Sequence, residues 1–154
     1  MKGLTRCLII LTLSGAASGV IIYACSRDDD KAALGGFRDA FLDFVEGRDE
    51  NALLRYVPDD LGRFEITMDA GKTTMIPESL DDLETIFEDT AYVFSGDSVS
   101  ILQSNETMTA DGAVMTFTVR VTDGAMVSTI PVKVRLLRDP SGKGWVMRSI
   151  ELFN

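Results

Sequence analysis

The side chains that could do chemistry in this chain are its carboxylates and tyrosines, because the sequence contains no histidine. Nucleophile systems built on histidine and metal sites with imidazole ligands are therefore excluded. Tyr56 and Tyr92 could each donate a hydroxyl hydrogen bond to a developing oxyanion. For both tyrosines a structural role is favoured, with the ring at the edge of the core and the hydroxyl in water.

The cysteines and the acidic runs offer no further reactive or metal-binding site. Cys7 lies inside an apolar N-terminal segment and Cys25 at its edge, so the rest of the chain has no disulfide and no thiol nucleophile. The run Asp28-Asp29-Asp30 lacks the spacing of a calcium loop and is expected to be a solvated spacer. The sequence therefore predicts neither a metal nor a cofactor.

Length and charge limit the possible partners. The chain has 154 residues, enough for one domain with a real core, and a net charge of −9. A surface this acidic repels phosphate backbones, so we expect no nucleic-acid partner. The charge would suit a cationic partner, but solubility alone explains it.

A long antiparallel meander from Val99 to Phe153 is the element that must position any reactive side chain. Asp111-Gly112 and Asp123-Gly124 are typical of tight hairpin turns. The residues between them alternate between polar and apolar, as in a strand with one buried face, and the apolar ones are Met115, Phe117, Val119 and Val121. This face has no titratable residue, so chemistry would have to come from the earlier segments. Pro131 predicts a bend in the sheet.

Three helices and two short strands are predicted ahead of the meander. The first helix begins near Gly35-Gly36 and has one apolar stripe, formed by Leu34, Phe37, Phe41, Phe44 and Val45. The second helix covers residues 51–57, and Pro58 ends it. Ser79 caps the third helix, whose buried face is expected to hold Leu80, Leu83, Ile86 and Phe87. The strands are expected at residues 64–68 and 73–76.

The N-terminal segment is predicted to export or anchor the protein. Residues 1–6 are basic, residues 7–24 are uncharged and apolar or small, and the chain then becomes polar. Ile22-Tyr23-Ala24-Cys25 resembles the lipobox of bacterial lipoproteins, which implies that Cys25 is lipidated and becomes the mature N-terminus. The alternative is an uncleaved membrane helix over residues 7–24. We therefore divide the chain into a signal peptide or anchor (1–24), a polar linker (25–34) and a domain (35–154).

The domain resembles the NTF2-like superfamily, which includes ketosteroid isomerase, SnoaL-type cyclases, scytalone dehydratase and nuclear transport factor 2. Three stretches carry the resemblance: FRDAFLDFVEGRDENALLRYVPDDL, FEITMDAGKTT and VKVRLLRDPSGKGWVMRSIEL. It covers about residues 34–153. It implies an α+β cone, with a curved antiparallel sheet wrapped around about three N-terminal helices and a pocket inside.

The same resemblance suggests positions for a pocket and for catalytic groups. Six residues are expected to line the pocket: Phe37, Phe41, Phe64, Met68, Met115 and Phe117. In the isomerases a strand carboxylate is the base, and that position falls near Glu65, with Asp69 as a second candidate. The tyrosine of the isomerases falls on Phe41, which has no hydroxyl. Glu65 alternates with two apolar neighbours, so it is also compatible with a solvated strand position.

These features predict a membrane-tethered protein of the bacterial cell envelope, with its domain on the outer side. The domain would be a binding or accessory module for a small apolar ligand or an envelope protein, and could form a homodimer. One alternative is a small cone-pocket enzyme, an isomerase or dehydratase assisted by a carboxylate, with Tyr56 or Tyr92 as hydroxyl donor. The other is a permanently anchored subunit of a membrane complex.

Overall fold

The computed structural model describes residues 18–47, 49, 51–68, 72–139 and 144–153, with side chains from residue 29 onward. The chain divides into two compact units, residues 1–32 and residues 33–154. The described part of the first unit is helical, and the strands that the structure describes all belong to the second unit. None of the described helices combines the length and apolar character that crossing a membrane requires.

The first helix, α1, covers Ser18–Val45, so it is much longer than predicted. The prediction of a helix start near Gly35-Gly36 was wrong, because Ala32, Ala33 and Leu34 favour the helix and propagation then tolerates two glycines. Gly36 has a packing role as well. A Cβ atom at this position would lie 3.4 Å from the hydroxyl oxygen of Tyr56, at the limit of close contact.

The second α-helix, α2, covers Leu80–Tyr92 and begins as predicted. The Ser79 hydroxyl accepts a hydrogen bond from the Asp82 backbone N–H at 3.1 Å. Leu83, Ile86 and Phe87 are buried, whereas Leu80, expected on the same face, is exposed because it occupies the first turn. The predicted helix at 51–57 is only a short 3₁₀ turn at Leu54–Tyr56, and a second 3₁₀ turn covers Leu61–Arg63. The described residues therefore form two α-helices, where three helices were predicted.

Six strands form one curved, unclosed sheet. They are β1 (Glu65–Met68), β2 (Thr73–Met75), β3 (Ser98–Met108), β4 (Gly112–Asp123), β5 (Met126–Arg138) and β6 (Trp145–Leu152). The order across the sheet is β2-β1-β6-β5-β4-β3. All neighbours are antiparallel except β1 and β6, which are parallel, so the sheet is mixed rather than antiparallel throughout. The chain between β1 and β6 is long enough for the crossover that a parallel pair requires.

Glycine and proline mark the special positions of the meander. Gly124, in the β4–β5 turn, has a φ of 58°, which suits glycine. A Cβ atom on Gly112 would lie 2.0 Å from the carbonyl oxygen of Leu136, so the pairing of β4 with β5 requires glycine there. The register of β5 with β4 is continuous through Pro131, and the irregularities of the sheet lie between Ile101 and Gln103 and between Arg135 and Leu136.

The core lies between the inner face of the sheet and the helices. The predicted alternation on β4 is confirmed, because Met115, Phe117, Val119 and Val121 are buried. The inner positions of the neighbouring strands are buried as well: Ile130, Val132, Val134 and Leu136 on β5, and Trp145, Met147, Ile150 and Leu152 on β6. The helices add Phe37, Phe41, Phe44, Leu83, Ile86 and Phe87. An apolar layer therefore runs continuously from α1 to the sheet.

Candidate functional site

Aromatic rings occupy the interior where the sequence predicted a pocket. Phe41 of α1 stacks on Phe117 of β4, with ring centroids 4.2 Å apart and planes inclined by 23°. Phe37 also stacks on Phe41, with ring centroids 6.4 Å apart. Offset stacking at these distances leaves no room for a ligand between the rings. An apolar ligand could lie between α1 and β4 only if Phe41 and Phe117 moved apart.

The remaining residues predicted to line a pocket belong to the same packed interior. Phe64 makes an edge contact with Phe87, at 5.9 Å and 75°, and Phe87 makes another with Phe44 at 5.7 Å. Met115 is buried, and Met68, near the edge of the sheet, is half-buried. We call this set the aromatic interior: Phe37, Phe41, Phe44, Phe64, Phe87, Met115 and Phe117.

Three of the proposed catalytic groups, Glu65, Tyr56 and Tyr92, lie in different parts of the domain. Glu65 is half-buried between the fully buried Phe64 and Ile66, so its side chain is on the outer face of the sheet. Tyr92, in the last turn of α2, is 79% exposed. Tyr56 is half-buried, and its ring contacts the edge of Phe37 at 4.9 Å. The described residues therefore bring no carboxylate together with a tyrosine hydroxyl in an apolar cavity.

Two further predicted residues are outside what the structure describes. Asp69 is not among the described residues, and Cys25 is described only as part of the α1 backbone. Within the described residues there is also no group of three or more histidine, cysteine, aspartate or glutamate side chains that could hold a metal ion.

A surface groove that sequence reasoning missed lies beside the β5–β6 hairpin. Its volume is about 420 Å³, within the range of small-molecule sites. Apolar side chains form much of its wall: Leu54, Val57, Pro58, Leu137, Val146 and Met147. Four arginines also line it: Arg55, Arg63, Arg138 and Arg148. We call it the arginine groove.

Ring contacts and backbone hydrogen bonds hold the arginines of this groove in place. The Arg55 guanidinium carbon lies 4.9 Å from the Tyr56 ring centroid, and that of Arg138 lies 5.1 Å from the Trp145 ring centroid. Planar guanidinium groups stack well on aromatic faces, which leaves their edges available for hydrogen bonds. Arg148 donates from Nη1 to the carbonyl oxygen of Arg63.

Acidic residues compensate part of this charge. Asp59, Asp60 and Asp139 also line the groove. Asp60 forms an ion pair with Arg63, in which Arg63 Nε lies 3.1 Å from Asp60 Oδ2. In the part of the chain that the structure describes, neither Arg55 nor Arg148 forms an ion pair. The groove is therefore locally positive in a chain whose net charge is −9.

The outer face of the sheet carries a separate polar network. Glu151 bonds Lys133 Nζ through Oε2 and Arg135 Nε through Oε1, each at 3.2 Å. Ser149 is paired with Glu65 on one side and Arg135 on the other, and its hydroxyl is buried without a hydrogen-bond partner among the described atoms. Two threonine hydroxyls, on Thr67 and Thr74, lie 3.3 Å apart on the neighbouring strands. This face is ordered and polar, in contrast to the aromatic interior.

No protein-family model matches the chain, and no curated protein matches it well enough to count as a relative. Solved structures do match. An NTF2-like protein of unknown function from Pseudomonas putida KT2440 is 12% identical, with 80% of this chain and 87% of that chain covered and a TM-score of 0.59. A protein of Streptomyces avermitilis provisionally assigned as a dehydratase of the NTF2-like family is 16% identical, with coverages of 82% and 96% and a TM-score of 0.57.

A protein of Parabacteroides distasonis provisionally assigned as a ketosteroid isomerase is also structurally similar to this chain. It is 13% identical, covers 76% of this chain and 83% of its own, and has a TM-score of 0.56. Sequence identities this low are evidence for a shared fold and not for a shared function. Two helices packed on a curved, unclosed and mixed six-stranded sheet give this chain the NTF2-like α+β cone fold.

Proposed function

We propose that this chain is a membrane-tethered protein of the bacterial cell envelope whose NTF2-like domain is a binding or accessory module for a ligand or a protein. The observation that carries the proposal is the packed aromatic interior, in which Phe41 and Phe117 stack with centroids 4.2 Å apart. Because the side chains of the domain fill the cone, we expect a ligand or partner to bind on the outside of the domain. The tether rests on the sequence, in which an uncharged apolar segment ends at Cys25.

A cone-pocket enzyme is the second candidate, and the assignments of two structural neighbours favour it. Isomerase or dehydratase chemistry needs a base facing the substrate and a donor for the developing oxyanion. Glu65 is on the outer face of the sheet, and Phe41, at the position that the resemblance gives to the tyrosine, has no hydroxyl. Both features count against this candidate.

Intact mass of the protein extracted from bacterial membranes tests the tether. We expect a chain that begins at Cys25 and carries an acyl adduct. Cys25→Ser should keep residues 1–24, because the lipid acceptor is lost, whereas the matched control Cys7→Ser should give the wild-type mature mass.

Two outcomes would contradict parts of this proposal. A wild-type mass that includes Met1 would overturn lipidation and support residues 7–24 as an uncleaved anchor, as expected for a permanently anchored subunit. Recovery of the chain only in the soluble fraction would overturn the tether as a whole.

The outer face of the sheet is the surface on which we propose that two copies pair. Sedimentation of the full chain over a range of concentrations tests this point, with a dimer expected. A monomer at every concentration would contradict it.

A further inference from the structure

The arginine groove combines two kinds of surface that a single class of ligand would need. Its apolar part comes from two regions of the chain: the turn residues Leu54, Val57 and Pro58, and the hairpin residues Leu137, Val146 and Met147. Met147 is already buried, so an apolar chain placed there would remove the other five of these side chains from water, which favours binding. A purely polar ligand would leave this part of the groove unused.

The arginines of the groove determine which charge the head group of that ligand can carry. Arg55 and Arg148 line the groove and have no ion-pair partner among the described residues, whereas Arg63 is already paired with Asp60. A guanidinium presents several N–H donors in a planar fork that matches the oxygens of a carboxylate or phosphate. A cationic head would be repelled by the same groups.

The place where the chain enters the domain adds a third observation. Arg55 Nη2 lies 3.5 Å from the Gly36 carbonyl oxygen, and Tyr56, on which Arg55 stacks, contacts the next residue of α1, Phe37. One wall of the groove is therefore tied to residues that follow closely after Cys25 in the sequence. If the chain is tethered at Cys25, as the proposed function requires, membrane amphiphiles would be available to the domain.

We infer that the arginine groove binds a single-chain amphiphile with an oxyanion head, such as a fatty-acid carboxylate. The acyl chain lies on Leu137 and Val146, and Arg55 and Arg148 donate hydrogen bonds to the head. This inference deepens the proposed function by naming a ligand class and a site, and it places that site outside the cone.

Trp145 is the only tryptophan of the chain and lies under Arg138 of the groove, so its fluorescence reports on binding. The full chain in phosphatidylcholine vesicles is titrated with octanoate, octanol and octyltrimethylammonium. We expect a saturable change with octanoate and at least tenfold weaker binding of the other two. Hexanoate should bind weaker than octanoate by about fourfold for each missing methylene.

Two pairs of variants locate the ligand. Arg55→Gln should weaken octanoate binding about five- to tenfold, while the exposed Arg120→Gln on β4 should leave it unchanged. Leu137→Ser should weaken binding about threefold or more, while Leu102→Ser, a change at another exposed leucine, should not. Circular dichroism of each variant checks that it is folded.

The outcomes separate this inference from the tether. Equal binding of octanol and octanoate, or an unchanged affinity in folded Arg55→Gln, would overturn the oxyanion head. Saturable binding of inorganic phosphate with the affinity of octanoate would overturn the acyl chain. Flotation of the same vesicles measures tethering independently, so a chain that binds octanoate but does not float refutes the tether and leaves the groove assignment supported.

Discussion

The aromatic interior and the arginine groove differ in what their side chains leave available to a ligand. In the interior, Phe41 and Phe117 stack on each other and are almost completely buried, so neither ring is available to a ligand. In the groove, apolar side chains and two arginines without ion pairs among the described residues remain open to solvent. The cone of this chain is therefore packed with rings where a pocket was expected, and we propose that its binding chemistry lies on the outside.

The largest effect on stability is expected from a substitution in the aromatic interior. Phe117→Ala removes a buried ring that stacks on Phe41 and should lower the free energy of unfolding by about 3–5 kcal/mol. Urea denaturation of the full chain measures it. Phe153→Ala, at a ring that is 41% exposed, is the matched control and should cost under about 1 kcal/mol. Similar losses in both variants would contradict a tightly packed interior.

A pair of glycine variants tests the close pairing of β4 with β5. Gly112→Ala would place a methyl group 2.0 Å from the Leu136 carbonyl oxygen and should cost about 1–3 kcal/mol as β4 and β5 separate. Gly35→Ala meets no atom within 4 Å and lies in α1, so it should stabilise by about 0.5–1 kcal/mol. Thermal unfolding should therefore shift in opposite directions, and shifts of the same sign would be inconsistent with this close approach.

The cap of α2 supports the aromatic interior through Phe87. Ser79→Ala removes the acceptor for the Asp82 N–H and should cost about 1 kcal/mol. Ser95→Ala, at an exposed position after the same helix, serves as the control and should change stability little. If chemical denaturation gives equal midpoints for the two variants, the hydrogen bond from Asp82 contributes nothing.

The smallest effect on stability is expected in the groove. Arg55 is exposed and its partners are a ring and one long hydrogen bond, so Arg55→Gln should change the free energy of unfolding by no more than about 0.5 kcal/mol. Denaturation beside Arg120→Gln measures it. A loss of several kcal/mol would mean that Arg55 supports the fold rather than a ligand.

Local patterns in the sequence predicted the parts of the fold that local interactions determine. The alternation through Phe117 identified the buried face of β4, and Ser79 identified the start of α2. The parallel pairing of β1 with β6 was missed, because the choice between sheet neighbours far apart in sequence depends on the whole topology. The helical path through Gly35 and Gly36 was also missed, because helix formers before the glycines and helix propagation offset the low helix propensity of glycine.

The candidate sites were less predictable than the fold. The residues expected to line a pocket have the right apolar character, but sequence alone does not distinguish rings that line a cavity from rings that fill it. Arg55 and Arg148 are far apart in the chain and belong to no motif, so only the packing of a 3₁₀ turn against β6 reveals that they share a groove. A weak signal was present in the arginines on either side of Trp145, Arg138 and Arg148.

Methionine methyl NMR tests the central claim most directly, because Met115 is buried in the aromatic interior, whereas Met147, buried on the inner side of β6, also borders the groove. The full chain, labelled at its methionine methyl groups and held in phosphatidylcholine nanodiscs, is titrated with octanoate. We predict a saturable shift of the Met147 signal and an unchanged Met115 signal. A shift of Met115 with Met147 unchanged would place the ligand inside the cone and contradict the account.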